Sequence, residues 1–547
     1  MSIIDNRSAR PAGDTTDGYA TGVPYTFGYY RELAPALLRV ALLAGGVAQS
    51  TEPRRFRYCE LGCGRGLSSN ILAATHPEAE FQAVDFDSAH IAEARALAQA
   101  AGLANLQFSE ASFEAFAAED GPAFDFMVLH GVYSWVSPAN RVILMRLIER
   151  RLRPGGIAYV SYNAQPGWSH LEPLRRLLWE LVAHGEGAML ERVRAALATC
   201  CQMRDAGAAY FARNPEAGRE LDLMQARGPG YIVHEHLNRY WQPQYHADMV
   251  SVLAGAGCRF GASADLTDHL DALDLGAADI RRLRAITDPV HARTLKDFMV
   301  DRRFRRDLFV KGPQAADRTL TEAQSWAAWQ DQHLALAQPR SLLKLAVPAR
   351  QGVVHLDPAI HVPLLDALAD GPCSVAQLRA GDARVAALSP ATLIESLVML
   401  LGSGHVEPCP QRDEQAQDVV DAAHGAAQRL NQALLARVRD SSEITHLAAP
   451  RIGGAVQVDR SSQRFLLAEA EVKARPGGGA DAVDLVARHL GAQGARLARL
   501  AHGGKVLEDP AAIRAELQRR EVNFRSVIRP HLQRLGVVGA APQRDDT

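Results

Sequence analysis

Cysteine is scarce in this chain. The seven cysteines among 547 residues are odd in number and show no repeated close spacing, which argues against a disulfide framework or a zinc ribbon. Long apolar runs are missing as well. No stretch reaches the ~18 residues needed to cross a bilayer, and the longest candidate, near Leu393–Leu401, is interrupted by Glu395. The opening segment, residues 1–14, lacks the apolar centre of a secretory signal. Neither sign of charge is in excess: 60 basic residues stand against 62 acidic ones, and the net charge is −2. With no long basic run, bulk electrostatics give no reason to expect a nucleic-acid partner. These absences predict a cytoplasmic chain with reduced thiols and no membrane insertion. What is present is ordinary globular composition, 47% hydrophobic and 22% charged, which excludes wholesale disorder. At roughly 100–200 residues per domain the length predicts three or four domains.

After a polar terminus over residues 1–20, the pattern from Arg54 onward alternates short apolar strands with helices. Strands are expected at Phe56–Leu61, Phe81–Asp85, Leu106–Ser109, Phe124–His130 and Gly156–Tyr162, and helices at Leu67–Ala74, Ala89–Ala101 and Asn140–Arg151. Such alternation implies an α/β fold, a doubly wound parallel sheet covered on both faces. Leu171–Ala226 reads as mainly helical, with a break at Asn214-Pro215. Tyr245–Gly257 reads as a helix ending in glycine, followed by an apolar strand from Cys258. Beyond Val354, helices at Pro358–Ala369, Val375–Arg379 and Pro390–Gly402, with Gly404–Glu407 opening a β-wing, give the order of a winged helix. A DNA-reading helix needs basic or amide side chains along one face. Ala391–Leu400 offers one Glu and no basic residue, so core packing or protein docking is the better account. An amphipathic helix follows at Asp418–Arg439, and a flexible junction at Pro476–Gly479.

The most informative stretch is Glu60-Leu61-Gly62-Cys63-Gly64-Arg65-Gly66. It closes one strand and opens a helix, and its glycines let a ligand approach main-chain N–H groups. Leu67 stands where a dinucleotide fingerprint needs a small residue, so the NAD pattern fits poorly. Glu60 before the loop would repel a pyrophosphate but suits a cationic ligand. Asp85 ends the next strand, where a carboxylate can accept both hydroxyls of a ribose. The combination points to a nucleoside ligand.

Asp125 near the start of the fourth strand and the turn Leu152-Arg153-Pro154-Gly155-Gly156 before the fifth complete an ordered series. That series resembles a class I S-adenosylmethionine-dependent methyltransferase over Tyr25–Asn163. Further segments are Tyr25–Leu33, Tyr162–Trp168, Tyr231–Asn238, Trp241-Gln242-Pro243, Asp301–Phe309 and Phe465–Leu467. They are similar to bacterial methyltransferases with a methyltransferase regulatory domain, the group that includes rickettsial protein lysine methyltransferases. The resemblance implies a Rossmann-like methyltransferase domain at 20–168 and a mainly helical regulatory domain at 169–345. A winged-helix-like region with a trailing helix at 346–475 and a helical region at 476–547 would follow.

It further implies S-adenosyl-L-methionine as cofactor and a protein substrate methylated on lysine. A small-molecule methyltransferase, or a partner-docking protein that binds the cofactor without turnover, are the alternatives. Gly62, Gly64 and Gly66 would line the methionine portion and ribose, Glu60 would support the loop, Asp85 would hold the ribose, and Ser112 and Phe113 would lie at the adenine. Tyr25, Cys63, Phe86 and His130 belong to the implied cofactor set. Tyr133, Trp135, Tyr162 and Trp168 are expected on the sheet edge where the methyl group emerges, with His130 as a base or hydrogen-bond acceptor.

His234-Glu235-His236 is too closely spaced for a zincin site, and no metal is expected. On a strand its two imidazoles would share one face. Residues from about Tyr231 to Ala264 are expected against the catalytic domain, with Leu171–Ala226 as a lid. On that view His234 and Glu235 reach the transfer site. Arg302–Arg306, flanked by Asp301 and Asp307, reads as a salt-bridged surface helix.

Overall fold

The computed structural model describes residues 15–16, 19–20, 26–48, 55–312, 319–350, 352–410, 417–474, 481–492, 501–502, 505–507 and 509–539. At its centre is a seven-stranded sheet of β1 (Arg57–Leu61), β2 (Glu80–Asp85), β3 (Leu106–Glu110), β4 (Phe124–Leu129), β5 (Leu152–Asn163), β6 (Cys258–Ser263) and β7 (Phe304–Lys311). The spatial order is β3-β2-β1-β4-β5-β7-β6. The first five strands are parallel, and β7 runs antiparallel to both β5 and β6. Helices cover both faces, which is why Phe126-Met127-Val128-Leu129 can be apolar without alternation and still be buried throughout.

Helix α1 (Pro35–Ala44) precedes the sheet; α2 (Leu67–Thr75), α3 (Ser88–Ala101), α4 (Phe113–Ala118) and α5 (Pro138–Arg151) connect its parallel strands. Their ends are coded locally. The Asp87 side chain caps α3 by accepting from the amides of Ala89 and His90, and Gly102 ends it at φ 63°. Ser137 caps α5, with Pro138 in its first turn.

Between β5 and β6 the chain leaves the sheet through α6 (Glu172–Ala183), α7 (Met189–Asp205), α8 (Ala209–Arg213), α9 (Pro215–Arg227) and α10 (Pro229–His236). This bundle has its own core of Leu174, Leu178, Val193, Phe211, Leu221 and Ile232. It returns through α11 (His246–Gly255), whose Met249 and Leu253 pack with the sheet core. The sheet therefore draws its last two strands from 258–311, and a division at 168 runs through it.

His234-Glu235-His236 lies on helix α10, so the strand arrangement in which its two imidazoles would share one face does not arise. His236 is buried beside Trp168 and Tyr231, and the side chain of His234 lies outside the described residues. The Arg302–Arg306 segment leads into β7 rather than forming a surface helix. Its charge is tolerated inside because it is paired. Arg305 binds Asp307 at 2.9 Å and Asp297 (on α12, Pro289–Met299) at 2.7 Å, and Arg302 binds Asp268 at 2.5 Å.

In the C-terminal half, α13 (Pro358–Ala367), α14 (Val375–Gly381) and α15 (Pro390–Gly402) occupy the three expected helical positions. A small sheet joins β8 (His333–Leu336) to β9 (Cys373–Ser374) on one side and β10 (Val406–Cys409) on the other. The strand after the third helix thus pairs with one that precedes the first helix. Leu393, Leu397, Leu400 and Leu401 of α15 are buried in the core shared with α1 and β1. The next helix, α16 (Gln417–Arg437), packs along α2 and α3. Phe465 and Leu466 join Phe27, Leu67 and Leu97 in a second shared core. The junction expected at 476–479 lies outside the described residues.

Candidate active site

The tip of β1 and the start of α2 are joined by the Gly62–Gly66 turn. Its three glycines have φ of 78°, 52° and 70°, the left-handed region that glycine enters without steric cost. A Cβ on Gly62 would lie 2.5 Å from Val132 Cγ2, and one on Gly66 would lie 2.6 Å from the Ala94 Cβ. The turn is strapped to β2, where the amides of Gly62 and Cys63 donate to the Val84 carbonyl at 2.8 and 3.0 Å. Asp85 completes the strap, accepting from the Gly64 amide at 2.8 Å and the Asp87 amide at 3.0 Å. Glu60 is 4% exposed and accepts a hydrogen bond from Ser69 Oγ. Burial pushes its carboxyl up to about 7, against the pull of Ser69 and with a further push from Asp85.

These groups line a cavity of about 490 Å³ at the C-terminal ends of the parallel strands. Gly62, Cys63, Gly64, Gly66, Glu60, Asp85, Phe86, Ser112, Phe113, His130, Trp135 and Glu235 all face it. Tyr25, placed in the same set from sequence, lies outside the described residues. His130 follows β4 and packs its ring on Tyr30 with centroids 4.0 Å apart. Its Nδ1 is 2.8 Å from the hydroxyl of Tyr159 on β5. Burial, with a smaller contribution from Arg306, pushes this imidazole down to about 3, so it is uncharged at neutral pH. Glu235 reaches the cavity from α10; burial raises its carboxyl while Arg227 draws it down.

Tyr133 and Tyr162 are not among the residues lining this cavity. Tyr133 is buried under the Arg141 guanidinium, 5.6 Å above its ring. Tyr162 is fully buried and donates its hydroxyl to Asp307 Oδ2 at 2.5 Å. Pleating explains the second displacement. Neighbouring residues of a strand face opposite sides, so Tyr159 and Ser161 of β5 meet His130 and Gly131 while Tyr162 faces away. Trp168 packs on Trp241 at 5.1 Å, and Trp241 in turn lies 6.5 Å from Trp135. Sequence reasoning missed Phe27 and Tyr30, which precede the sheet, and Asn140 at the start of α5. The paired tyrosines Tyr29-Tyr30 ahead of α1 were the available signal.

Residues 59–156 match the model of a methyltransferase domain, and residues 228–311 match that of a predicted methyltransferase regulatory domain. An uncharacterised protein of Synechocystis is 33% identical over 523 residues, covering 95% of this chain and 99% of its own. The chain belongs to the S-adenosylmethionine-dependent methyltransferases with a methyltransferase regulatory domain. PKMT2 from Rickettsia typhi, solved in complex with AdoHcy, shares the fold of this methyltransferase with a TM-score of 0.66 at 16% identity. The match covers 94% of this chain and 99% of that one. A trans-aconitate 2-methyltransferase of Methylobacterium nodulans is 32% identical over 145 residues, 26% of this chain and 50% of its own.

The methyltransferase takes S-adenosylmethionine as cofactor, and the cavity fits it. The glycine turn opens a space bordered by the Asp85 carboxylate and the Glu60 carboxyl, an acidic edge that suits a cationic sulfonium. The regulatory segment is no appendage, because it supplies α10, α11, β6 and β7. Among the described residues no group of three or more His, Cys, Asp or Glu is arranged to hold a metal ion, and no helix is long and apolar enough to cross a membrane.

Proposed function

We propose that this methyltransferase N-methylates lysine side chains of a protein substrate. The observation that carries the reading is Glu235, a carboxylate that reaches the cavity alongside Tyr30, Trp135 and uncharged His130. A lysine ε-ammonium enters with its charge and must lose one proton before it can attack, because its reference pKa is about 10.4. Glu235 attracts the ammonium, and its raised affinity for protons suits it to accept that proton. Tyr30 and Trp135 offer aromatic faces to the aliphatic stem and the cation. The bound cofactor supplies the electrophilic methyl group. Gly62, Gly64 and Gly66 admit its methionine portion and ribose, Asp85 orients the ribose, and Ser112 and Phe113 flank the adenine. The bundle α6–α10 acts as a lid that keeps water out.

A small-molecule acceptor is the second reading, favoured by the partial match to a trans-aconitate methyltransferase. Glu235 weighs against it for acidic acceptors, since two carboxylates brought together repel. Incubation with methyl-labelled cofactor and cell lysate tests the choice. Label retained in protein, and recovered as methyl-lysine after hydrolysis, is the expected result. Label confined to small molecules refutes the lysine reading.

A further inference from the structure

The cofactor turn is gripped from outside by the C-terminal half of the chain. Arg65, inside the turn, donates to Glu93 of α3 through Nε at 2.6 Å and Nη2 at 3.0 Å. The same guanidinium donates to Glu443 through Nη1 at 2.8 Å and Nη2 at 3.2 Å, across 378 positions of sequence. Arg437, in the last turn of α16, extends the network by donating to Glu93 at 2.6 Å. Both guanidiniums also cover the Phe27 ring, at 4.7 Å for Arg65 and 5.3 Å for Arg437. Phe27 and Arg65 line the cofactor cavity. Glu443 does not, and its own amide is fixed by Ser441 Oγ at 3.1 Å.

Two features make this more than surface pairing. Arg65 is held by two carboxylates at once, a planar fork with both edges occupied, and its side chain is only 14% exposed. Arg65 also lies between Gly64 and Gly66, whose backbones hold left-handed φ angles of 52° and 70°. Releasing Arg65 would free the one long side chain within the glycine turn.

We propose that Glu443 and Arg437 are positioning residues of the cofactor site. By holding Arg65 and Phe27 they keep the Gly62–Gly66 turn in its binding geometry, so the docked C-terminal half sets cofactor affinity. The inference rests on the reading that the cofactor lies against this turn. Glu443, with a side chain 46% exposed, is the end of the network most open to solvent. A partner that competes for it would weaken cofactor binding without touching the cavity.

Calorimetry with S-adenosylhomocysteine on the full chain tests this, comparing wild type with Glu443→Gln, Arg437→Gln, Arg437→Lys and Asp85→Ala. Glu443→Gln and Arg437→Gln should each raise Kd about three- to tenfold, the scale of a partly buried charged contact. Arg437→Lys should recover part of the loss. In turnover assays the KM for S-adenosylmethionine should rise while kcat stays the same, and melting of the ligand-free protein should not shift. Unchanged Kd in Glu443→Gln alongside weakened binding in Asp85→Ala overturns the proposal and leaves the cofactor reading standing. Lower melting temperature with reduced kcat and unaltered KM assigns these ion pairs a structural role only, which also overturns it. Unchanged affinity in Asp85→Ala removes the cofactor reading itself, and this inference with it.

Discussion

Asp85 ties its own strand to the glycine turn, and the proposed contact with the ribose adds a second task to the same carboxylate. Asp85→Ala should weaken cofactor binding by about 1.5–3 kcal/mol, the range for a hydrogen bond to a charged group, and calorimetry that finds no change would refute the assignment. Glu60 gives a pH-dependent signature. Its folded-state value of about 7 lies above the ordinary 4.5, so the folded ligand-free protein binds this proton more tightly than the unfolded chain. Stability is therefore fully present below about 4.5 and is lost as pH rises through about 7, on the order of 3 kcal/mol in all. Denaturant titrations at pH 5 and pH 8 should show wild type losing ground to Glu60→Gln, which cannot ionise; an equal gap at both values would contradict the shift. Glu60, Asp85 and the glycines were legible because they are close neighbours in a strand–turn–helix motif whose chemistry is local. Tyr30 and Tyr159 were not, because Tyr30 reaches the cavity by packing from outside the sheet, while Tyr159 is fully buried and meets His130 only through the parity of its strand.

At the scale of elements, β7 places a charged cluster inside the sheet. Burial alone would raise the Asp307 carboxyl, but Arg305 and His246 hold it well below the usual range. Tyr162 and His246, at 2.5 and 3.0 Å, complete its shell. Asp307→Ala leaves an arginine, a tyrosine and a histidine buried without their common partner, and should cost about 3–5 kcal/mol of stability; equilibrium unfolding measures it. The charge run around β7 misled sequence reasoning, since its partners Asp268 and Asp297 lie outside the segment. Helix α10 has the opposite character. It carries Glu235 to the cavity, so Glu235→Ala should lower kcat at least tenfold while cofactor affinity changes little, and a variant with full turnover would remove Glu235 from the mechanism.

For the whole molecule, the parallel half of the sheet was readable from alternation, and the helix over Tyr245–Gly257 with the strand from Cys258 was readable as its return. Strand β7 was not, because about 140 residues separate it from β5 and its charges read as a surface helix. No window of pattern spans that excursion, so the pairing of β7 with β5 had no local signal. The consequence for truncation is direct. Residues 1–163 alone would expose the β5 edge and lack the apolar cover of β6, β7 and α11, so this fragment should be insoluble or inactive when expressed. A stable, fully active fragment would show that the later strands are dispensable. The same excursion bears on synthesis. The chain leaves the ribosome in order at roughly 5–20 residues per second, so the far edge of β5 waits some 7–30 s for its partner. During that interval the nascent chain presents Ala158, Tyr159, Val160 and Tyr162 on an open strand, residues that the finished protein buries completely or nearly so. The helical bundle α6–α10 emerges first and can fold on its own core in the meantime. Its early compaction shortens the tether between β5 and β7, and a protein that pauses in translation before residue 304 is the form most exposed to strand-to-strand aggregation.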